Sequence, residues 1–374
     1  MRIEADAAKI AANTRAIVRL CAAHHMEVVG VSKCVRSDPA IVSAMLSGGV
    51  RIIGESRLAN IRGIRQAGID CEVMLLRLPA ISEAREVVLL ADYSINSEER
   101  VLRALSSAAV SAGHSHGVLL FIETGDRREG VMAEGAADLC RLVADLPGLH
   151  LAGVATGLNC LCGVLPTTEN QEAFAELVRE LQRDLGLTFP MVSAGHTGNL
   201  HLVMKGHVPP CFNQLRVGGA ILFGADSTTG ADLPAPFRDA FKIYAEVIEL
   251  KEKPSTPDGK VDIDAFGRIH AWPDLGVRRR AILSMGELDA GVEFMKPSLA
   301  GTFIVGASSD HLVVDVTDAA APVRVGDELE FVASYQAIAY GWSSCNATRT
   351  VVWRGEQVPE LSSQSHYRGP RWRR

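Results

Sequence analysis

The first 225 residues alternate short apolar runs with stretches of helical period, and no other feature constrains the fold as strongly. The runs are MEVVGV (26–31), RIIG (51–54), CEVMLL (71–76), YSIN (93–96), VLLFIE (118–123), LAGVA (151–155), MVSAG (191–195) and QLRVG (214–218). Runs of this length and composition read as buried strands. Between most of them lie helical patterns such as AIVSAMLSGG, RLANIRGIRQAG, ERVLRALSSAAVSAG and QEAFAELVRELQRDLG, several ending at Gly as helix C-caps do. One more helix, Ala7 to Ala23, precedes the first run. Eight buried strands, each followed by a helix, predict an α/β fold, a (β/α)8 TIM barrel over residues 1–230. An open doubly wound sheet is the competing arrangement; the runs show no obvious order reversal, which favours the barrel.

After Gly230 the character changes. ADLPAPF is a Pro-containing linker, and FKIYAEVIEL, RRAILSMG, GTFIVGAS, HLVVDVT and DELEFVA alternate in polarity between Gly, Pro and Asp turns. They predict a C-terminal all-β domain over 237–350. The polar tail, 357–374, reads as a flexible or surface segment. The net charge of −6 is spread without a basic stripe, so a nucleic-acid partner is not expected. No run of about eighteen apolar residues is present to span a membrane. The charged start, MRIEADAAKIAANTR, has no signal-peptide core, which points to the cytoplasm. Most of the eight cysteines sit in apolar surroundings and read as reduced thiols; Cys160 and Cys162 form C-x-C, and no zinc-type spacing occurs, so no metal is expected.

A barrel carries its site at the C-terminal ends of its strands. In order those ends present Lys33; Glu55, Ser56 and Arg57; Arg77; Asn96; Glu123 with Arg128; Thr156 and Asn159; His196 and Thr197; and Arg216, Gly218 and Gly219. An amine held at Lys33, after an apolar strand, is partly desolvated and is the better nucleophile toward an aldehyde. The alternative is a lysine that snorkels from the strand end into water. Barrels often hold phosphate against the loops after strands seven and eight. Here these loops are AGHTGN (194–199) and RVGGA (216–220), whose glycines admit backbone N–H groups to phosphate oxygens or simply make tight turns. Arg216 lies inside an apolar strand and needs a ligand or a carboxylate. Arg128 is placed either to meet an anionic oxygen of a cofactor or substrate, or to be a solvated loop charge.

At these residues the sequence resembles the alanine racemase-type (fold type III) enzymes that use pyridoxal 5'-phosphate (PLP), and most closely their ornithine racemase-like branch. The resemblance runs in order through GVSKCVRSDPAIVSAMLSGGV, IGESRLANI, LLRLPAISEAREVVLLADYSINSE, ETGDRREG, NQLRVGGAILFG, ELKEKPS, DIDAFG and VGASSDHLVVDVTD. It implies a PLP-binding barrel, a β domain, and a head-to-tail homodimer in which the partner completes each site. It makes Lys33 the Schiff-base lysine and sets Arg216 against the pyridine nitrogen. His196, Thr197, Gly218 and Gly219 fall at the cofactor, with Thr197 and the two glycines at its phosphate. Arg128 falls near the ring hydroxyl, and Ser309, Asp310 and Tyr335 at the substrate. Three departures stand out. Ser37 replaces a phosphate-contacting tyrosine, Phe121 replaces a modified lysine, and Phe266-Gly267 replaces the Tyr-Gly pair that supplies a second base. Asp264 is the candidate for that base, with Tyr335 and His311 as others; a plain turn residue is the competing reading of Asp264. The expected activity is racemisation at Cα of a free small-molecule amino acid, ornithine or another basic one. A PLP-dependent aldolase or lyase acting on a β-hydroxy amino acid, and a non-catalytic PLP carrier, are the alternatives.

Overall fold

The computed structural model describes residues 1–226 and 228–354; the tail expected at 357–374 lies outside the described residues. The chain opens with a short strand, Arg2–Asp6 (β1), and a helix, Ala7–Ala22. The apolar runs then form the strands Glu27–Val31 (β2), Ile52–Glu55 (β3), Glu72–Leu75 (β4), Tyr93–Asn96 (β5), His116–Phe121 (β6), Leu149–Ala155 (β7), Met191–His196 (β8) and Gln214–Val217 (β9). These eight close into a parallel barrel in sequence order. Closure is made at β2, where Val29 pairs with Ile52 on one side and Arg216 on the other. Val29, Ile52, Met74, Ile95, Leu119, Phe121, Ala152 and Ala155 form one buried cluster, so the barrel is a packed core with its chemistry confined to the rim.

Helix ends follow local chemistry. Asp38 caps Pro39–Ser47, its carboxylate accepting from Ala40 N at 3.0 Å, and Thr167 caps Thr168–Leu185 through a capping box with Asn170. The first helix is tied to the end of the barrel by Asn13, which is fully buried. Its amide donates to Ile221 O and Phe237 O at 3.2 and 2.8 Å and accepts from Phe237 N at 2.9 Å.

The chain divides into two compact units, one built on Ala7–Arg238 and one formed by Met1–Asp6 with Asp239–Val352. The barrel expectation over 1–230 is therefore corrected at its start. Residues 2–6 alternate in a strand that the hydrophobic runs did not single out, and β1 pairs outside the barrel. Its partners are the strands Phe241–Pro254 (β10), antiparallel, and Thr348–Val352 (β16), parallel. The rest of that sheet is Val277–Leu283 (β11), Met295–Pro297 (β12), Phe303–Ala307 (β13), Leu312–Asp315 (β14) and Glu328–Ala333 (β15), in the order β12-β15-β10-β11-β14-β13. The unit is not all-β. Residues Tyr335–Ser343 form a helix, because Ala337, Ile338, Gly341 and Trp342 recur at helical spacing and are buried together. Trp342 meets Phe241 edge to face at 5.9 Å.

At the N-terminal end of the barrel, His116 is buried with Nε2 at 2.7 Å from Ser94 Oγ and Nδ1 at 3.2 Å from Ala91 O. Burial pushes its pKa down to about 4. The unfolded chain, with an ordinary histidine, then binds the extra proton between pH 6.5 and 4, and stability falls as the pH drops through that window. A shift of that size is worth about 3 kcal/mol. Denaturant titrations of the wild type and of His116→Gln should show this acid-side loss in the former and a flatter profile in the latter. Parallel profiles would contradict the assignment.

Candidate active site

Lys33 lies just beyond β2 and opens a 3-10 turn, Lys33–Val35. It is exposed, its carbonyl accepts from Arg36 N at 3.2 Å, and its amine makes no hydrogen bond or ion pair among the described residues. The turn behind it is strained: Arg36 and Ser37 both adopt left-handed backbone, at φ +51° and +52°. Such strain persists only where the surroundings impose it. Here Ser37 N donates to Ser32 O at 3.1 Å, the two serine hydroxyls lie 2.7 Å apart, and Ser37 Oγ donates to Glu55 Oε2 at 2.5 Å. Glu55 is fully buried and also accepts from Ser56 N and Arg57 N at 2.5 and 3.1 Å. Ser37, standing where the resemblance sets a phosphate-contacting tyrosine, thus belongs to the support of the Lys33 turn.

Arg216, on β9, is 8% exposed. Its guanidinium donates to Ser193 O at 3.1 Å, Ser193 Oγ at 2.6 Å and Thr156 O at 2.5 Å. No carboxylate lies within ion-pair distance among the described residues, and the Phe121 ring centroid is 5.8 Å away. Burial pulls the Arg216 pKa down to about 10, so the charge persists at neutral pH. A buried cation held only by neutral groups keeps its field for a ligand acceptor.

The loop after β8 is set by Gly195, at φ +134°, where a Cβ would come within 2.1 Å of Asn199 Oδ1. Asn199 accepts from His196 N at 3.1 Å and donates to Ala194 O at 3.0 Å. Thr197 Oγ1 then accepts from Ala220 N at 3.4 Å, tying this loop to the Gly218-Gly219 turn after β9. The two expected phosphate loops are therefore joined, with one hydroxyl and two side-chain-free residues between them. An amine on one strand end, a buried guanidinium and this hydroxyl-and-glycine cradle suit an aldehyde, a ring nitrogen and a phosphate, the three polar features of PLP.

Across the rim, the loop after β7 is clamped by Asp126, itself buried in the loop after β6. Its carboxylate accepts from the backbone N–H groups of Cys160, Leu161 and Cys162 at 3.2, 2.9 and 3.1 Å. His196 is held by Gly198 N, which donates to Nδ1 at 3.0 Å, and lies with Nε2 2.5 Å from Leu158 O. Arg128 donates to Glu129 in a two-pronged pair, one bond at 2.6 Å. Burial opposes its charge, but Glu129 and Cys160 hold its pKa above the ordinary arginine value. Neighbouring His196 and Arg128 draw the Cys160 thiol down to about 7, against desolvation. None of the eight cysteines is in a disulfide; Cys21, Cys34 and Cys140 are buried, Cys71 and Cys211 half-buried, and Cys160, Cys162 and Cys345 exposed. The Asp126 clamp was missed in the sequence because a single polar residue within a loop carries no periodic signal.

Other strand-end residues serve the fold. Arg77 is paired with Glu83 at 2.6 Å, and the Asn96 amide donates to Ser94 Oγ at 2.8 Å. Asp264, Ser309, Asp310 and Tyr335 belong to the other unit. Asp264, expected as a base, is instead spent on its own turn. Its carboxylate accepts from Phe266 N and Arg268 N at 2.8 Å each, from Arg268 Nε at 3.0 Å, and pairs with His270 Nε2 at 2.7 Å. His270 and these donors hold its pKa far below the carboxylate range, which makes it a poor proton acceptor. Tyr335 begins the helix described above, and Ser309 and Asp310 sit in the turn between β13 and β14.

Fold and site together define a barrel enzyme of the PLP-dependent class. The chain belongs to the alanine racemase family: the model described as "Alanine racemase, N-terminal domain" matches residues 5–226. It is 36% identical over 336 residues to a protein named lysine racemase from Thermotoga maritima, covering 90% of this chain and 94% of that one. It is 33% identical over 344 residues to one named ornithine racemase from Acetoanaerobium sticklandii, covering 92% and 97%. An alanine racemase structure from Streptomyces lavendulae shares the fold at TM-score 0.74 and 17% identity, covering 95% of this chain and 97% of that one. A D-threonine aldolase structure from Filomicrobium marinum shares it at 0.69 and 19%, covering 91% and 88%.

The Asp126 clamp predicts a local effect. Charge-assisted bonds of this kind are worth about 1.5–3 kcal/mol each. Asp126→Ala should speed hydrogen exchange at the amides of Cys160, Leu161 and Cys162 by at least about tenfold while leaving the barrel strands unchanged. Unaltered exchange in that loop would show that the carboxylate does not hold it.

Proposed function

We propose that this chain interconverts the enantiomers of a free basic amino acid, lysine or ornithine, in the cytoplasm. It is a PLP-dependent amino-acid racemase of the alanine racemase family. The observation that carries the reading is the pairing of a free strand-end lysine with a buried, carboxylate-free arginine across the β2–β9 closure of a barrel whose near-full-length relatives are named lysine and ornithine racemase. Those relatives favour racemisation over retro-aldol cleavage, because the likeness to the aldolase rests on fold alone.

When bound, the cofactor supplies the electron sink that makes the α-proton of the substrate acidic. Lys33 would hold its aldehyde carbon and afterwards carry a proton to or from Cα on its own face. Arg216 would keep a positive charge at the ring nitrogen, which would limit side chemistry. Thr197, Gly218 and Gly219 would fix the phosphate, His196 would lie at the cofactor, and Arg128 would orient an anionic oxygen. A head-to-tail homodimer would bring Ser309, Asp310 and Tyr335 of the partner copy to the substrate. This part of the reading draws support from the resemblance of the SSDH segment.

Purified protein should show the visible absorbance of a lysine-bound cofactor, and Lys33→Ala should lose it. In D2O, nuclear magnetic resonance should detect α-proton exchange of lysine and ornithine well ahead of alanine, with Lys33→Ala slower by at least about a thousandfold. If no amino acid in a broad panel exchanges its α-proton, the racemase reading is wrong.

A further inference from the structure

A cavity of about 160 Å³ lies within the unit built on Asp239–Val352, between one face of the sheet and the loop 255–276. Its floor follows from strand alternation. β11 reads VRRRAIL, which sets Arg278 and Arg280 on the same face. Lys251 on β10 and Asp315 on β14 stand directly opposite Arg280, and Phe303 on β13 stands beyond Asp315. Opposite charges in neighbouring register positions favour an Arg280–Asp315 pair. The structure makes a different one. Asp315, 1% exposed, accepts from Arg278 Nε and Nη2 at 2.9 and 3.2 Å and from Thr317 N at 3.0 Å. Asp318 also goes to Arg278, at 2.7 Å. Two carboxylates are thus spent on Arg278, and Arg280 has none among the described residues. Its Nη2 donates to Ser255 O at 2.7 Å, while its Nε is buried and meets no hydrogen-bond partner there. We propose that this cavity binds a small organic monocarboxylate with a flat apolar body, its carboxylate seated on Arg280. The inference does not depend on the racemase reading.

The wall over this floor is built by hydrogen bonds. Ser255 is buried, its Oγ accepts from Leu275 N at 2.7 Å and donates to Pro273 O at 3.3 Å, and its N–H donates to Gly276 O at 2.9 Å. These bonds pin the segment that carries Trp272 and Leu275. The Trp272 ring packs on His270 at 5.4 Å, and His270 is itself held by Asp264 at 2.7 Å. Its indole N–H donates to no described residue. Leu275 and Phe303 line the cavity yet remain 49% and 41% exposed. Apolar side chains left open beside a cleft with a few convergent polar groups are the usual make-up of a small-molecule site.

The lining selects the ligand. Its unspent polar groups are donors: Arg280 Nε and the Trp272 indole. Its side-chain acceptors belong to Asp315 and Ser255, and those are occupied. An acceptor-only anion therefore fits, and a guanidinium is the group best shaped for a carboxylate. The ammonium of a free amino acid would find no side-chain acceptor and would be repelled by Arg280 and Lys251. A phosphate or sulfate would press its remaining oxygens against Phe303, Ile304 and Leu275, which is costly without hydrogen bonds. An apolar cavity of about 150 Å³ accepts a benzene ring. Benzoate thus matches the volume, the charge and the apolar wall together.

The test titrates sodium benzoate into the 15N-labelled full chain with its cofactor and follows the indole N–H signals of its four tryptophans by nuclear magnetic resonance. Trp272→Phe assigns the signal of Trp272. The expected result is a saturable shift of that signal, with at least about tenfold weaker binding in Arg280→Gln, the cost of losing a charge-assisted pair. Benzamide, of the same shape without the charge, should bind at least about tenfold more weakly than benzoate. Ala271→Phe, at an exposed position that lines the cavity, should block the shift without removing Arg280, and keeps the test open if Arg280→Gln does not fold. A Trp272 signal that does not move with benzoate would overturn the proposal. So would an unchanged titration curve in folded Arg280→Gln or in Ala271→Phe, because the probe would then be held elsewhere, and so would equal binding of benzamide.

Discussion

Val29 stands between Ile52 and Arg216, and that double pairing closes the barrel. Everything at the site follows from it. Without closure, β2 and β9 would be the two edges of an open sheet, and Lys33 and Arg216 would lie far apart. With closure, the strand that leads into the lysine and the strand that carries the arginine are hydrogen-bonded neighbours. The packed interior beneath them leaves only the rim for polar groups, so residues drawn from strands far apart in sequence converge there.

The rim is stiffened by buried carboxylates spent on hydrogen bonds to the loops around them. Glu55 holds the strained turn behind Lys33, and Asp126 holds the loop that carries Cys160. Each ties down backbone N–H groups that a loop at the end of a strand would otherwise leave to water. Arg216 is managed differently: its guanidinium is met by carbonyls and a hydroxyl, and so its charge is not cancelled. The division separates groups that fix geometry, which are neutralised locally, from groups free to act on a ligand, which are not.

Much of this was legible in the sequence, for a physical reason. Buried strands are written as apolar runs, and a barrel converts each run's end into a site position, so Lys33, Thr197, Arg216 and the Gly218-Gly219 turn could be located before any coordinates. What escaped depends on long-range pairing or on single polar contacts. Arg2–Asp6 is a strand only because β10 and β16 flank it. The helix Tyr335–Ser343 fell inside the expected all-β domain because its buried residues are small, apart from Ile338 and Trp342. Asp264 looked like a base by resemblance, and its turn donors, four to six residues along, showed it to be a structural carboxylate. The Asp126 clamp on the loop of Cys160 is a set of single polar contacts to backbone amides, which leave no pattern in the sequence.

The attachment point of the cofactor decides whether this arrangement of the rim is right. Borohydride reduction of the purified holoenzyme, followed by peptide mass mapping, fixes the cofactor to whichever lysine carries it. The pyridoxyl mass should appear on the peptide containing Lys33 and on no other. Its appearance on a different lysine, or its absence from every lysine in protein that binds the cofactor, would contradict the placement of the chemistry at the end of β2.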